Sequence, residues 1–525
     1  MPATSRRVRK LTNGDESAES NISKKPKRTP ITINARIIQF GLYSKDKQGI
    51  LMQQSSFEEL HLLKSYGTVK RKKLILAIED FNPEAKCNIL LSCGDGAVGQ
   101  LALGEDLADR CARPKKIQTF SPPLSDGVGF LQIAAGSFHT VVLTSNSKVY
   151  TCGCNDDCAL GRECLEDDGQ KKRLEDQDFI LRPITFSDEL SAEHGRPIQI
   201  SAGDSHTAFL TSKGSVFAWG TFRDKQGCLG LFIKHNPKDH RAQTQIVEKS
   251  VTPLLISSFR EHVAVKICSG FNHLAFLTCD GKIFTLGAGD CGQLGRLGPQ
   301  FRDSRTSVRT ITRMLIPAPI VPEVRHSTFF KDVWCTGYCC FAKAEDDTIY
   351  VWGLNNYYQL GYVPNDPEQI DLHFPVKSEH FESSVKWTNF SGDHHIVATD
   401  DQKNVYTIGR GHDFRLGNSS NENAQVLQKL SDLDGVVAGV AAGNNYSYAW
   451  NNDGSVLSWG YDLEGETGQG LEDSGSIETP RVVQANTLKN VRIVQIAAGG
   501  QHALFMGILM ADKIDKQANT HDKDA

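Results

Sequence analysis

From Ile198 to Gly230, IQISAGDSHTAFLTSKGSVFAWGTFRDKQGCLG, short apolar stretches are separated by polar turn signals, the pattern of strands rather than of a helix. Ile198 and Ile200 alternate with polar neighbours, and Ala202-Gly203 turns the chain. His206 to Leu210 then leads into Lys213-Gly214, a tight hairpin signal. Val216 to Trp219 forms the next strand, Gly220 ends it, and a loop returns to Leu229-Gly230. The window reads as three short strands and two turns, with no helical period.

The same grammar recurs in AAGSFHTVVLTSNSKVYTCG from Ala134, CSGFNHLAFLTCDGKIFTLG from Cys268, CTGYCCFAKAEDDTIYVWG from Cys335, FSGDHHIVATDDQKNVYTIG from Phe390 and AAGNNYSYAWNNDGSVLSWG from Ala441. Gly136, Gly203, Gly270, Gly337, Gly392, Gly443 and Gly499 mark a period of roughly 50 to 67 residues, the scale of propeller blades. The last copy, from Ala497, stops after its first half, while ILLSCGDGAVGQLALG from Ile89 supplies only a second half. Together they make one blade and close the ring, which removes exposed strand edges. The expected fold is all-β, a seven-bladed β-propeller over 88–508, preceded by a disordered basic tail (1–36) and an unassigned insertion (37–87), and followed by a flexible tail (509–525).

Charge refines this picture. The net charge of −4 hides a basic N-terminal tail ahead of a mildly acidic propeller. Within the tail, Lys24-Lys25-Pro26-Lys27-Arg28 is either a solvated run or a nuclear import signal able to touch DNA phosphates. Between 37 and 87, apolar alternation predicts strands at Ile37 to Leu42 and Leu74 to Ile78, and a helical turn or two at Phe57 to Leu63. No apolar run is long enough to span a membrane, and the polar N-terminus has no signal-peptide pattern.

The 14 cysteines form no paired CxxC set and are expected as reduced, packed thiols, with no metal or cofactor. His139, His206, His273, His395 and His502 recur once per blade and read as turn-stabilising residues. The chain has no phosphate-binding Gly-x4-Gly-Lys-Ser/Thr loop, no Gly-x-Ser-x-Gly elbow and no zinc-protease helix, so no hydrolytic activity is expected.

The Ala/Ser-Gly-x-x-His turns, the Val-Tyr/Phe-x-x-Gly strands and the Gln-Leu-Gly closures at Gln293 and Gln359, with Gln-Leu-Ala at Gln100, resemble the repeats of the regulator of chromosome condensation family over about Ile89 to Met506. GTFRDKQGCLG from Gly220 and CNDDCALGR from Cys154 sharpen the resemblance to its chromatin-bound members. The resemblance implies guanine nucleotide exchange on the nuclear GTPase Ran by a protein located in the nucleus on chromatin. Its expected partners are Ran, a nuclear import receptor, the histone acidic patch of the nucleosome and DNA phosphates.

The resemblance also implies particular sites. The protruding loop Thr221, Phe222, Arg223, Asp224, Lys225, Gln226 and Gly227 would wedge against the GTPase, with Arg296, His139 and His502 among its contacts. Asp204, Asn272 and one of His394 and His395 would promote exchange; Asn272 and Ala97 stand where the family carries aspartates. Arg302, Arg305, Arg309 and Arg313 would meet histones, and Lys24, Lys25, Lys27 and Arg28 would meet DNA or the import receptor. The alternative is a non-catalytic chromatin or scaffold propeller. A photoreceptor is disfavoured by six tryptophans that are spread along the chain rather than clustered.

Overall fold

The computed structural model describes residues 87–510, apart from 106–108, 119, 164–177, 235–244, 302–306, 322–327, 367 and 434, together with backbone pairs at 44–45, 51–52, 62–63 and 73–74. The chain forms seven antiparallel four-stranded sheets. The first blade comprises Phe130–Ala135, His139–Thr144, Val149–Gly153 and Asp178–Pro183. Blade 2 runs from Pro197–Ala202 to Ser250–Ser257, and blade 3 from Ala264–Ser269 to Ala318–Pro319. Blade 4 runs from Phe330–Cys335 to Asp371–Lys377, blade 5 from Trp387–Gly392 to Ala424–Lys429, and blade 6 from Val437–Ala442 to Gly475–Val482.

Blade 7 joins distant parts of the chain in the order Val491–Ala498, His502–Leu509, Ile89–Gly94, Cys111–Lys116. The closure expected from the two half-repeats is therefore the one the fold uses. Each blade carries a fourth, outer strand beyond the three read from the sequence. In blade 5 that strand, Ala424–Lys429, buries Ala424 and exposes most of the rest, so it carries little apolar signal. The second strands behave oppositely. His206–Thr211 and His273–Thr278 are buried along their whole length, because each is covered by sheets on both faces.

Three kinds of contact lock neighbouring blades. Gln132 exchanges two hydrogen bonds with the backbone of Ile200, Gln199 does so with Ile267, and Gln495 with Ile133. Trp219 and Trp352 donate from Nε1 to Ala159 O (2.7 Å) and Gln293 O (3.0 Å) in the preceding blades. The glycine of the Gln-Leu-Gly closure lies against this indole: Gly295 has φ +63°, and a Cβ there would sit 2.8 Å from Trp352 Nε1. The repeat histidines make the third clasp. His139 Nε2 lies 2.8 Å from Thr207 Oγ1, and His502 Nε2 lies 3.0 Å from Thr140 Oγ1. Both threonine hydroxyls donate to carbonyls, at Ala159 and Gln100, so each imidazole donates its Nε2–H.

Two local expectations change. Leu62–Leu63, read as part of a helical turn, is a strand paired with Lys73–Leu74. In blade 4 the inner turn is carried by Thr336, whose N–H donates to Cys339 O as Gly270 N–H does to His273 O, so Thr336 rather than Gly337 occupies the repeated position.

Candidate functional site

The turns between first and second strands of all blades lie at one end of the ring, and three of them, in blades 1, 2 and 3, are joined to the hairpin that follows Gly220. This hairpin pairs Phe222–Asp224 with Gly227–Gly230. Its root is fixed: Thr221 Oγ1 donates to Glu248 O at 2.7 Å, and Phe222 is fully buried with its ring 4.6 Å from that of His206. Thr221 and Phe222 therefore belong to the core rather than to the expected contact surface, since an aromatic next to the Gly220 turn is drawn into the blade 2–3 seam. The projecting part is Arg223 to Gly227, with Arg223, Lys225 and Gln226 exposed. The N–H of Gln226 donates to Asp224 Oδ1 at 2.8 Å, and Gly227 at φ +105° completes the reversal.

A string of hydrogen bonds ties this tip to the blade turns. Ser137 of blade 1 donates to Asp204 Oδ1 of blade 2. Asn272 Nδ2 of blade 3 donates to Asp204 Oδ2 at 3.0 Å, and Asn272 Oδ1 accepts from the Arg223 backbone N–H at 2.8 Å. From the other side, Asp157 accepts from Arg223 Nη1 and Lys249 Nζ, both at 2.7 Å. Burial pushes the Asp204 carboxyl up to about 6, with the Asp393 carboxylate adding to the rise against the hydrogen bonds from Ser137 and Asn272. Asp204 thus changes charge just below neutral pH.

The remaining predicted residues separate by burial. His394 is partly exposed, bonded through Nδ1 to Asp393 and flanked by Tyr338 and Tyr357. His395 is fully buried, with Nε2 2.9 Å from Ser447 Oγ, and burial pushes its basicity well below the usual imidazole range. Of the adjacent pair, His394 faces the surface and His395 is a blade clasp. His139 and His502 are likewise buried clasps, pushed down to about 4 and about 3 by desolvation. None of these three rings is open to a partner, which corrects their expected role as direct contacts.

Arg296 is also turned inward. It donates to Thr285 Oγ1 and O and to the carbonyls of Arg313 (2.7 Å), Met314 (3.3 Å) and Ile316 (3.2 Å). Burial lowers its pKa to about 10. Among the described residues two helices exceed a single turn: α1 (Asp188–His194) and α2 (Val308–Leu315). Arg296 therefore satisfies carbonyls at the C-terminal end of α2, a role for a cation that needs no partner. On α2 the side chains of Arg309 and Arg313 are exposed and four residues apart, on one face. Arg302, Arg305, Lys24, Lys25, Lys27 and Arg28 lie outside the described residues.

Sequence reasoning missed Ser137, Asp157, Lys249 and Tyr338. Asp157 could have been suspected, since the hairpin's Arg223 calls for a carboxylate partner. No local pattern marks Ser137.

The model of the RCC1-like domain matches residues 89–505. The regulator of chromosome condensation of Mus musculus is 33% identical over 442 residues, covering 83% of this chain and 94% of its own. The chain belongs to the regulator of chromosome condensation family. Another relative in the family, the guanine nucleotide exchange factor SRM1 of Saccharomyces cerevisiae, is 27% identical over 82% of this chain and 89% of its own. The crystal structure of Prp20p from Saccharomyces cerevisiae, described with its binding to Gsp1p and histones, superposes with a TM-score of 0.67 at 26% identity, over 81% of this chain and 92% of that one.

Proposed function

We propose that this protein is a guanine nucleotide exchange factor for the nuclear GTPase Ran, acting on chromatin. The observation that carries the reading is the string Ser137, Asp204, Asn272 and the Arg223 backbone, which fixes a protruding charged hairpin to three blades of a rigid ring. Its family context is a relative named as an exchange factor and a structural neighbour described as binding Gsp1p and histones.

A small GTPase can hold nucleotide with a picomolar Kd, about 16 kcal/mol. Accelerating release by about 10^5 requires roughly 7 kcal/mol of preferential binding to the opened GTPase. One hydrogen bond does not supply that, whereas a hairpin held in place before encounter loses little entropy on insertion. The protein lowers the barrier in both directions, so the nucleotide that rebinds is set by concentration.

Chromatin attachment is assigned to the exposed arginines of α2 with Arg302 and Arg305, directed to the histone acidic patch. The basic run Lys24 to Arg28 serves DNA phosphates and the import receptor, which places the protein in the nucleus. The propeller itself has no hydrolytic role. A non-catalytic scaffold is the alternative reading, and Asn272 in place of an aspartate is its argument. Against it, the Asn272 amide donates to a carboxylate and accepts from a backbone N–H at once, which an aspartate cannot do while ionised.

Release of a fluorescent guanine nucleotide from purified Ran decides between the two. Acceleration by orders of magnitude at catalytic amounts of this protein is expected; an unchanged rate would leave the scaffold.

A further inference from the structure

The junction between blades 3 and 4 differs chemically from its neighbours. At the 1–2 and 7–1 junctions the repeat histidine meets a threonine hydroxyl, and at the 2–3 junction His206 meets Ser269. At the 3–4 junction His273 Nε2 lies 3.0 Å from a sulfur, Cys340 Sγ. Cys340 pairs directly across the hairpin with Cys335, and the two sulfurs are 3.7 Å apart. Cys268, on the inner strand of blade 3, brings a third sulfur to 2.9 Å from Cys335 Sγ. The ligand atoms of His273, Cys335 and Cys340 all lie within 4.8 Å of one another. The sequence carries the group as Cys268-x4-His273 and Cys335-x4-Cys340, one pair from each blade.

We propose that His273, Cys335, Cys340 and Cys268 form a zinc site that fastens blade 3 to blade 4. Three sulfurs and one imidazole are an established structural zinc set, and zinc–sulfur bonds of about 2.3 Å place tetrahedral sulfurs about 3.8 Å apart. The Cys335–Cys340 separation meets that edge. Cys268 lies outside the group whose ligand atoms are all within 4.8 Å of one another, so to complete the set its side chain must withdraw from Cys335 by about 0.9 Å and close on His273 and Cys340. His273 and Cys340 are fully buried, while Cys335 borders the axial cavity of about 170 Å³, which gives the ion a way in.

Burial opposes ionisation of the Cys268, Cys335 and Cys340 thiols, and Lys266, paired with Asp332 at 2.6 Å, offsets part of that at Cys268 and Cys335. Each cysteine that coordinates releases its proton to solvent, and His273 coordinates through Nε2 with its one proton on Nδ1. Binding therefore tightens as pH rises.

The test is metal content and cobalt spectroscopy on the full chain, purified with a phosphine reductant and without chelator; it involves no GTPase, so its outcome is separate from that of the exchange reading. About one zinc per chain is expected. Replacement by Co(II) should give an intense near-ultraviolet thiolate-to-metal band and tetrahedral visible bands. Cys340→Ser should lose both, and Cys279→Ser, in the far turn of blade 3, should keep them. Absence of the cobalt bands from the wild-type protein overturns the proposal even if Cys340→Ser does not fold. So does their survival in a folded Cys340→Ser chain, or, in a parallel sample prepared without reductant, two missing thiols under denaturing titration with no bound metal, which would mean that Cys268 and Cys335 are joined as a disulfide.

Discussion

The Asn272 side chain holds two elements at once: its oxygen accepts the Arg223 backbone N–H at 2.8 Å while its nitrogen donates to Asp204 at 3.0 Å. Removing it should free the hairpin without unfolding the ring. Asn272→Ala is expected to slow Ran nucleotide release by roughly ten- to a hundredfold, the worth of one to two polar contacts at a charged group. Asn272→Asp keeps the acceptor for Arg223 but sets a second carboxyl against Asp204. Its activity should fall mainly above pH 6, where both would ionise. Stopped-flow release of a fluorescent nucleotide between pH 5.5 and 8 distinguishes the two substitutions.

Asp204 itself predicts a pH dependence. Its folded pKa of about 6 lies above the ordinary 3.8, so the folded state holds the proton more tightly than the unfolded one. Stability from this group is greatest below about pH 4 and declines as pH rises toward 6. Denaturant unfolding of wild type against Asp204→Asn should show the difference growing across that window and flat above pH 7. If the carboxylate form promotes exchange, catalysed release divided by intrinsic release should rise through pH 6 in wild type and stay level in the variant.

The hairpin tip and its root should separate function from folding. Replacing Arg223 to Gln226 by Gly-Gly leaves Thr221 and Phe222 in place, so the thermal transition should move little while exchange falls by orders of magnitude. Phe222→Ala removes a fully buried ring and should cost about 3 to 5 kcal/mol of stability, read from chemical denaturation. A tip deletion that exchanges at the wild-type rate would refute the wedge.

Much of this architecture was legible beforehand because inner strands, turns and glycines repeat at one grammar, and because two half-units at distant positions can only complete each other. The outer strand of blade 5 was not, since Ala424–Lys429 buries only Ala424 and leaves no apolar run. Site residues were harder. A histidine in an Ala-Gly-x-x-His turn looks the same whether its ring points to solvent or to the next blade, and only the packing shows His139, His395 and His502 inside. Arg296 posed the same problem: an arginine after Gln-Leu-Gly carries no local sign that the carbonyls of α2 lie within its reach. The cysteines gave no paired set in the sequence, because the approach of Cys335 and Cys340 to Cys268 and His273 depends on a neighbouring blade.

For chromatin, Arg309→Ala with Arg313→Ala should reduce the preference for nucleosomes over free DNA, because α2 presents both side chains on one exposed face. Alanines at Lys24, Lys25, Lys27 and Arg28 should instead lower affinity for both and flatten the salt dependence, about one counterion per lost phosphate contact. Gel-shift titrations on nucleosomes and naked DNA at several salt concentrations measure both slopes.

Arg296→Lys should loosen α2 rather than alter GTPase contact. A lysine cannot reach Thr285 and three carbonyls together, so faster amide hydrogen exchange over Val308 to Leu315, with nearly unchanged nucleotide release, is the expected result.

Blade 7 sets a timetable for making the protein. The Leu509 N–H bonds Asn88 Oδ1 across 421 positions, so Ile89–Gly94 leaves the ribosome long before the strand that must lie beside it. At about 5 to 20 residues per second that wait lasts on the order of 20 to 80 s. Throughout it, six blades can stack one after another while the seam stays open, with a bare strand edge exposed to any passing chain. Premature stops before His502 should consequently yield aggregates rather than a six-bladed ring, and holding factors that cover strand edges should matter more to this protein's yield than anything acting on its finished form.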